Sequence, residues 1–414
     1  MNTNKPKLFR KDFTLVVAGQ IISLFGNAVL RFALPLYLLR ETGSPALFGA
    51  VTAASFVPMI LLSLMGGVLA DRVNKRNIMV LLDFGTAGLI ALFYLALGRL
   101  PTVPLFIVFL MLLYGISGAY QPAVQASIPL LVPTEKLMEG NAVINQVNTL
   151  AGLLGPVIGG ILFNAWGILP ILAVGTVCFA LSAAMELLIH IPYHPIPAGP
   201  GVLATVRQDL CESWRFVRCE KPEFLQLTLV LAVFNLVLSA SMVVGLPVIV
   251  VNVLGRSDTA LGIAQGAQGL GGLAGGMLAG ALGSRIKLSS GRKILAVCGL
   301  TAVGMGLALL PGVPVTAAYW LVTLMNFAAM AASTLFSVQI FTVLQQQTPP
   351  ALLGKITATL MAVAACAHPV GQALYGVLFD VCAPIPWAVM LGAGAAAMLT
   401  ALYAKQVFLR LERA

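Results

Sequence analysis

The chain has 414 residues, of which 59% are hydrophobic and only 9% charged. Such a chain carries more apolar surface than a water-soluble fold can hide, so lipid must be its solvent. The net charge of +10 is spread singly and in short clusters between apolar runs, which excludes a nucleic-acid-binding domain and leaves membrane topology as its reading.

A helix needs about 20 mostly apolar residues to cross a bilayer, and an open sheet cannot cross because its edges stay unpaired. Stretches of that kind predict an all-α membrane protein of twelve transmembrane helices in two pseudo-symmetric six-helix bundles. The first span, 13–38, follows Lys5, Lys7, Arg10 and Lys11 and is too long for a signal-peptide core. Gln20, Ser23, Asn27 and Arg31 fall within a narrow arc of it, so one face is wet. A charge at the depth of Arg31 costs at least about 2.5 to 3.5 kcal/mol on insertion scales. Three arrangements offset that: reaching outward to the interface, pairing with Asp380, or lining a cavity as a gate or a contact for an anionic substrate.

The second span, 46–69, runs into the decapeptide Gly67-Val68-Leu69-Ala70-Asp71-Arg72-Val73-Asn74-Lys75-Arg76. The third and fourth spans are 77–98 and 103–124. In the fifth, 141–165, Asn141, Asn145, Asn148, Gly152, Gly155 and Gly159 share a face around Gly155-Pro156, which suits either tight helix packing or a bend used in conformational change. The sixth, 169–189, ends near Glu186. Asp83 and Glu186 are the two membrane-embedded acids; each can exchange protons or pair with the bases of cytoplasmic loops.

Residues 191–223 form the one long polar stretch, four prolines followed by an amphipathic segment in which Val206, Leu210, Trp214 and Val217 recur at helical spacing. The expected organisation is therefore a bundle over 1–190, a cytoplasmic linker over 191–223 and a second bundle over 224–414. Its spans are 225–250, 259–282, 293–311, 315–339, 355–379 and 385–406, with Asn235, Gln265, Gln268 and Asn326 as polar positions. His368, before Pro369, could titrate or bond a neighbouring helix.

The halves repeat at a nearly constant offset of 212 or 213 residues: Pro35 with Pro247, Gly49 with Gly262, Gly67 with Gly280, Pro156 with Pro369. A worn copy of the decapeptide's start recurs at Gly280 to Arg285, with Ser284 in place of Asp71. Even-numbered repeats share an orientation, with a site expected near the midplane. Most loop bases fall on one side, including Arg72, Lys75, Arg76, Arg207, Arg292 and Arg410, so both termini are expected in the cytoplasm of a multi-pass cell-membrane protein.

Six cysteines lack CxxC spacing, and neither a disulfide framework, a metal centre nor a cofactor is expected. Gly115-Ile116-Ser117-Gly118 and Ala367-His368-Pro369-Val370-Gly371 look like rhomboid protease motifs, but they fall in opposite halves of a duplication. An enzyme is not expected.

The residues resemble the major facilitator superfamily. Gly67, Leu69, Ala70, Asp71, Arg72, Lys75 and Arg76 match its G-x-L-A-D-R-x-G-R-K loop, with Asn74 in place of the second glycine, a substitution suited to a left-handed backbone. The run from Gln121-Pro122 to Val132-Pro133 looks like the macrolide-efflux branch, and Gly155 to Gly160 is similar to the fifth-helix motif of proton-coupled exporters. The resemblance implies a monomeric secondary transporter that exports an amphiphilic small molecule in exchange for protons by alternating access. Its implied sites are Gln20, Asn27, Arg31, Gln121, Asn148, Asn235 and Asn326 for substrate, Asp83, Glu186 and His368 for protons, and Gly67, Asp71, Arg72, Lys75, Arg76, Gly155 and Pro156 for the gate. Asp71 is expected to meet the start of the eleventh helix near Gly354 and Lys355. Transport of an anionic siderophore or lysophospholipid, or sensing without flux, are the alternatives.

Overall fold

Apolar segments that must satisfy every backbone polar group internally have one outcome in lipid, the α-helix. The computed structural model describes residues 8–192, 202–219, 221–282, 290–349 and 352–411, and among them helices alternate with short turns and no strand occurs. In chain order the first six are α1 (Lys11–Thr42), α2 (Pro45–Arg72), α3 (Lys75–Ala96), α4 (Thr102–Leu131), α5 (Leu137–Trp166) and α6 (Ile168–Leu187). An amphipathic α7 (Val202–Cys219) follows. The later ones are α8 (Glu223–Phe234), α9 (Ala240–Pro247), α10 (Asp258–Leu282), α11 (Gly291–Ala308), α12 (Val315–Gln347), α13 (Leu353–Ala365), α14 (Ala367–Val381) and α15 (Pro386–Leu411).

Local chemistry sets the ends. Pro45 and Pro386 open α2 and α15 at positions where a missing N–H is harmless. Gly167, at φ 72°, turns the chain between α5 and α6 in a conformation that side chains resist. Asn74 caps α3, its Oδ1 accepting from the Arg76 amide at 3.0 Å.

Eleven described segments are long and apolar enough to span a membrane. The remaining span is α10, whose glycines and glutamines dilute its hydropathy but let it pack closely: a Cβ on Gly271 or Gly275 would collide with the carbonyl of Phe327 or Ala331 on α12. Large apolar side chains such as Leu81, 72% exposed, and Leu399, 68% exposed, face outward, where only lipid makes them favourable.

Three expectations are corrected. Most of the Gly67–Arg76 decapeptide is helical, since α2 runs to Arg72 and α3 begins at Lys75; Asn74 sits at φ −59°, an N-cap and not a left-handed residue. The seventh span is not a plain helix: π turns over Asn235–Ser239 and Val248–Val253 flank α9. The eleventh is two helices meeting at Cys366, because Pro369 lacks the N–H that would continue the ladder. In α7 the buried face runs through Ser213, Phe216 and Val217, and Trp214 is exposed.

The chain divides into two compact units, Met1–Glu41 with Ala54–Gly199, and Thr42–Ala53 with Pro200–Ala414. Thr42–Ala53 groups with the second unit because Gly49 lies against Gly376, where neither residue leaves room for a Cβ.

Candidate functional site

In the first unit, α3 packs on α6 and on α4. At one end an apolar cluster including Phe13, Val16, Met79, Tyr120 and Val124 excludes solvent. Tyr120 belongs to this cluster by its ring and to a polar chain by its hydroxyl. Gln20 Nε2 donates to Tyr120 Oη at 2.5 Å, and Tyr120 Oη donates to Glu186 Oε1 at 2.6 Å. Ser182 Oγ donates to the Gly19 carbonyl at 3.1 Å, tying α6 to α1 beside this chain.

Asp83 lies on α3 within electrostatic range of Glu186 and near Ser182. Gln20, Ser23, Asp83 and Glu186 are all buried. One oxygen of each acid, Asp83 Oδ2 and Glu186 Oε2, meets no hydrogen-bond partner among the described residues, and neither do Gln20 Oε1 and Ser23 Oγ. Among the described residues no loop base reaches these two oxygens. Unsatisfied buried carboxyl oxygens are costly, and they mark places where water, protons or ligand complete the structure. A cavity of ≈ 20 Å³, room for about one water, borders Asp83 and Ser23 and is lined also by Asn27, Ser117, Tyr120 and Gln121.

Asn27 Nδ2 donates to Ser117 Oγ at 3.2 Å and leaves Oδ1 without a partner among the described residues. One turn farther along α1, the half-buried Arg31 guanidinium lies over the Tyr114 ring, 4.1 Å from its centroid, with Nη2 4.0 Å from Met59 Sδ. Its Nε meets no partner among the described residues. A cation–π contact contributes about 0.5 to 2 kcal/mol, less than the insertion cost of about 2.5 to 3.5 kcal/mol. The charge is held in place but only partly compensated.

Other sequence candidates lie apart. Asn148 Nδ2 donates to the Ile144 carbonyl on its own helix, at 3.0 Å. Asn235 Nδ2 donates to the Ala364 carbonyl at 3.0 Å and the buried Asn326 Nδ2 to the Ala264 carbonyl at 3.3 Å, so both amides hold helices together. His368 Nδ1 is 3.2 Å from Gln372 Nε2 on the same helix.

Of the gate residues, Arg76 Nη2 donates to the Leu187 carbonyl, placing a base at the C-terminal end of α6, where the helix dipole favours it. Lys75 opens α3. Gly67, Asp71 and Arg72 fall in the last turns of α2, and their side chains, like those of Gly354 and Lys355, lie outside the described residues, as do Gly283 to Arg285. In α5, Gly155 and Pro156 sit within one continuous helix, and a Cβ on Gly155 would collide with Ala28 of α1. Tight packing accounts for that glycine. Tyr120, Tyr114 and Ser117 were missing from the sequence candidates. Tyrosines in an apolar run read as core, and only the fold turns their polar or π faces toward Glu186 and Arg31.

The sequence pattern of the Major Facilitator Superfamily matches residues 16–372. Macrolide efflux protein A of Streptococcus pyogenes is 26% identical over 191 residues, 44% of this chain; the chain spans only 46% of that relative. Enterobactin exporter EntS of Salmonella typhimurium is 26% identical over 388 residues, covering 92% of this chain and 89% of that protein. Among solved structures, a peptide transporter POT in complex with sulfate superposes with a TM-score of 0.73 at 15% identity, covering 100% of this chain and 96% of that one. A bacterial homolog to the human lysosomal transporter Spinster gives 0.69 at 14% identity, with 96% and 97% covered. At such identities the structures speak for the fold alone. A repeated helical bundle, a buried polar chain and a match across most of its length place the chain, as a transporter and not an enzyme, in the major facilitator superfamily.

Proposed function

We propose that the protein is an exporter of amphiphilic small molecules that couples efflux to inward movement of protons. The observation that carries the coupling is the chain Gln20–Tyr120–Glu186 with Asp83 beside it, where Glu186 Oε2 and Asp83 Oδ2 meet no partner among the described residues and Asp83 borders space for a water. Two carboxyl groups in low dielectric cannot both carry charge without compensation, so proton uptake and release belong to their chemistry. Tyr120 gives Glu186 a hydroxyl partner that can be kept or exchanged as the proton moves. The efflux direction draws support from the macrolide and enterobactin exporters that the sequence resembles.

The test is flux in proteoliposomes with and without a pH gradient. Imposing the gradient should raise wild-type flux, and Glu186→Gln should remove that stimulation, about 10-fold or more, while counterflow of substrate at equal pH persists. A gradient effect that survives both Glu186→Gln and Asp83→Asn would falsify the coupling role.

A second reading concerns substrate charge. Arg31 is half-buried, stacked on Tyr114 and without an ion-pair partner among the described residues, which suits a carboxylate, catecholate or phosphate group on the substrate. Enterobactin exporter EntS, related over nearly the whole chain, is the relative that favours it. Arg31→Ala should then abolish efflux of anionic compounds and spare neutral ones; equal loss for both makes Arg31 structural.

A further inference from the structure

In the second unit α11 and α15 pack against each other, at a closeness that glycines set. On α11, Arg292, Gly299 and Gly306 stand at seven-residue spacing, which drifts only about 20° around a helix per step and so keeps them on one line. On α15, Leu391, Met398 and Lys405 do the same. A Cβ on Gly306 would meet Leu391, and one on Gly299 would meet Met398. The two lines therefore face each other rung by rung, and the next rung sets Arg292 level with Lys405. Gly291 against Phe408 closes the same end of the seam.

Two bases held level repel each other, and the close packing leaves neither helix room to slide. Arg292 is half-buried, while Lys405 and the neighbouring Lys293 are exposed. None of the three has an ion pair among the described residues. The corresponding spans of the first unit, α3 and α6, place a base differently. There α6 ends at Leu187, whose carbonyl accepts from Arg76. By contrast α15 runs on through the level of Lys405 to Leu411, so its carbonyls at that level are bonded within the helix and closed to Arg292.

Toward the middle of the seam both helices turn apolar side chains outward. Leu300 and Leu307 continue the line of Lys293 at seven-residue spacing and are exposed, as are Leu399 and Leu402 on α15. Both helices are long and apolar enough to cross a bilayer, and Arg292 and Lys293 stand in the first turn of the α11 span. Lipid tails cover such a surface, and headgroups surround its end.

We infer that the seam of α11 and α15 is a binding site for an anionic glycerophospholipid. Its phosphate lies between Arg292 and Lys405, with Lys293 beside the headgroup and acyl chains against Leu300, Leu307, Leu399 and Leu402. The guanidinium takes two phosphate oxygens at once, and the ammonium adds a point charge. The anion turns a repulsive rung into a bridge between the helices. A zwitterionic headgroup brings its own cation and bridges poorly. The site faces lipid and stands whatever the substrate or the coupling ion.

The experiment is native mass spectrometry of the full chain in detergent with dioleoylphosphatidylglycerol, dioleoylphosphatidylcholine or glycerol 3-phosphate. One phosphatidylglycerol should stay bound under conditions that strip phosphatidylcholine. Arg292→Gln combined with Lys405→Gln should lower its retention at least 10-fold, whereas Arg99→Gln, which removes an exposed base elsewhere, should leave it unchanged. Phosphatidylglycerol with a photoreactive acyl chain should label peptides of α11 and α15. Lys405→Glu offers Arg292 a counter-charge from within the protein. In phosphatidylcholine nanodiscs this variant should melt several degrees above the wild type, and phosphatidylglycerol, which stabilises the wild type, should add nothing to it. Equal retention of the two lipids, binding that survives the double substitution, or labelling confined to other helices overturns the proposal. So does displacement of the lipid by equimolar glycerol 3-phosphate, which would make this a site for free phosphate compounds, or a Lys405→Glu chain that melts below the wild type or is still stabilised by phosphatidylglycerol.

Discussion

The first unit's cavity, ≈ 20 Å³, is bordered by one acid, Asp83, whereas the second unit holds a cavity of ≈ 360 Å³ between α8, α9, α10, α11 and α12 that carries no charged side chain among the described residues. A duplicated fold supplied both, and a few side chains separated them. Tyr120 lines the first cavity and Ser333, 213 positions later, lines the second; Asp83 has no charged counterpart among the described residues of the second. The lesson is that duplication conserves where helices leave space and frees each copy to decide what that space holds. Even the close helix contacts follow this rule. In the first unit Gly118 on α4 lies against the Met59 carbonyl of α2, while in the second Gly271 on α10 lies against the Phe327 carbonyl of α12. The first unit uses glycines of both helices, since Gly66 on α2 also lies against the Ala119 backbone of α4, and the close approach of the two helices is kept.

That shared approach is the most vulnerable part of the comparison. Gly271→Leu should destabilise by about 1 to 3 kcal/mol or more through overpacking, whereas Gly276→Leu, with open space at its Cβ, should melt like the wild type. Equal melts for the two, in nanodisc thermal unfolding, would mean the close crossing is not what holds the second unit together.

Next in size is Tyr120→Phe, which keeps the ring in its apolar cluster and removes the hydroxyl between Gln20 and Glu186. Leaving those buried groups short of a partner costs about 1 to 3 kcal/mol, and gradient-stimulated flux should fall with it. The substitution Ser333→Ala, 213 positions later, should leave gradient stimulation unchanged, because no acid lines its cavity among the described residues. If the two substitutions affect stimulation alike, the division of labour between the units fails.

The smallest effect belongs to the turn joining α2 and α3. Asn74→Ala removes the cap on α3 and should cost about 1 kcal/mol, while Asn74→Gly should cost only a few tenths. Chemical denaturation in mixed micelles distinguishes them; a larger loss for glycine than for alanine would sink the cap reading of this position.

Much of the architecture was legible beforehand, for reasons that particular residues make plain. Runs of apolar residues longer than a bilayer is thick have no other stable conformation, so the spans and the repeat emerge from hydropathy and from pairs such as Pro35 and Pro247. The polar face of Gln20, Ser23, Asn27 and Arg31 follows from helical periodicity alone. The functional environment of those residues did not follow. Asp83 and Glu186 are 103 positions apart in the chain, and periodicity within one helix carries no information about which face of another it meets. Tyr120 and Tyr114 were passed over because an aromatic residue in a lipid-soluble run satisfies hydropathy whichever way its hydroxyl or π face turns. The π turn at Asn235–Ser239 left no trace either, since one extra residue in a helical turn changes hydrogen bonding and not composition.

The sequence by itself determined that this chain lives in lipid, that it is helical, that it is a duplication and that α1 has one wet face, because bilayer thickness and helical period act locally on consecutive residues. Only the tertiary structure decided that Gln20, Tyr120 and Glu186 form one chain, that Arg31 rests on Tyr114, and that the two copies enclose cavities of opposite character. Those outcomes depend on how α1, α3, α4 and α6, and their counterparts in the second unit, rotate against one another. That rotation is set by close packing at residues such as Gly118 and Gly271 and not by any single helix alone.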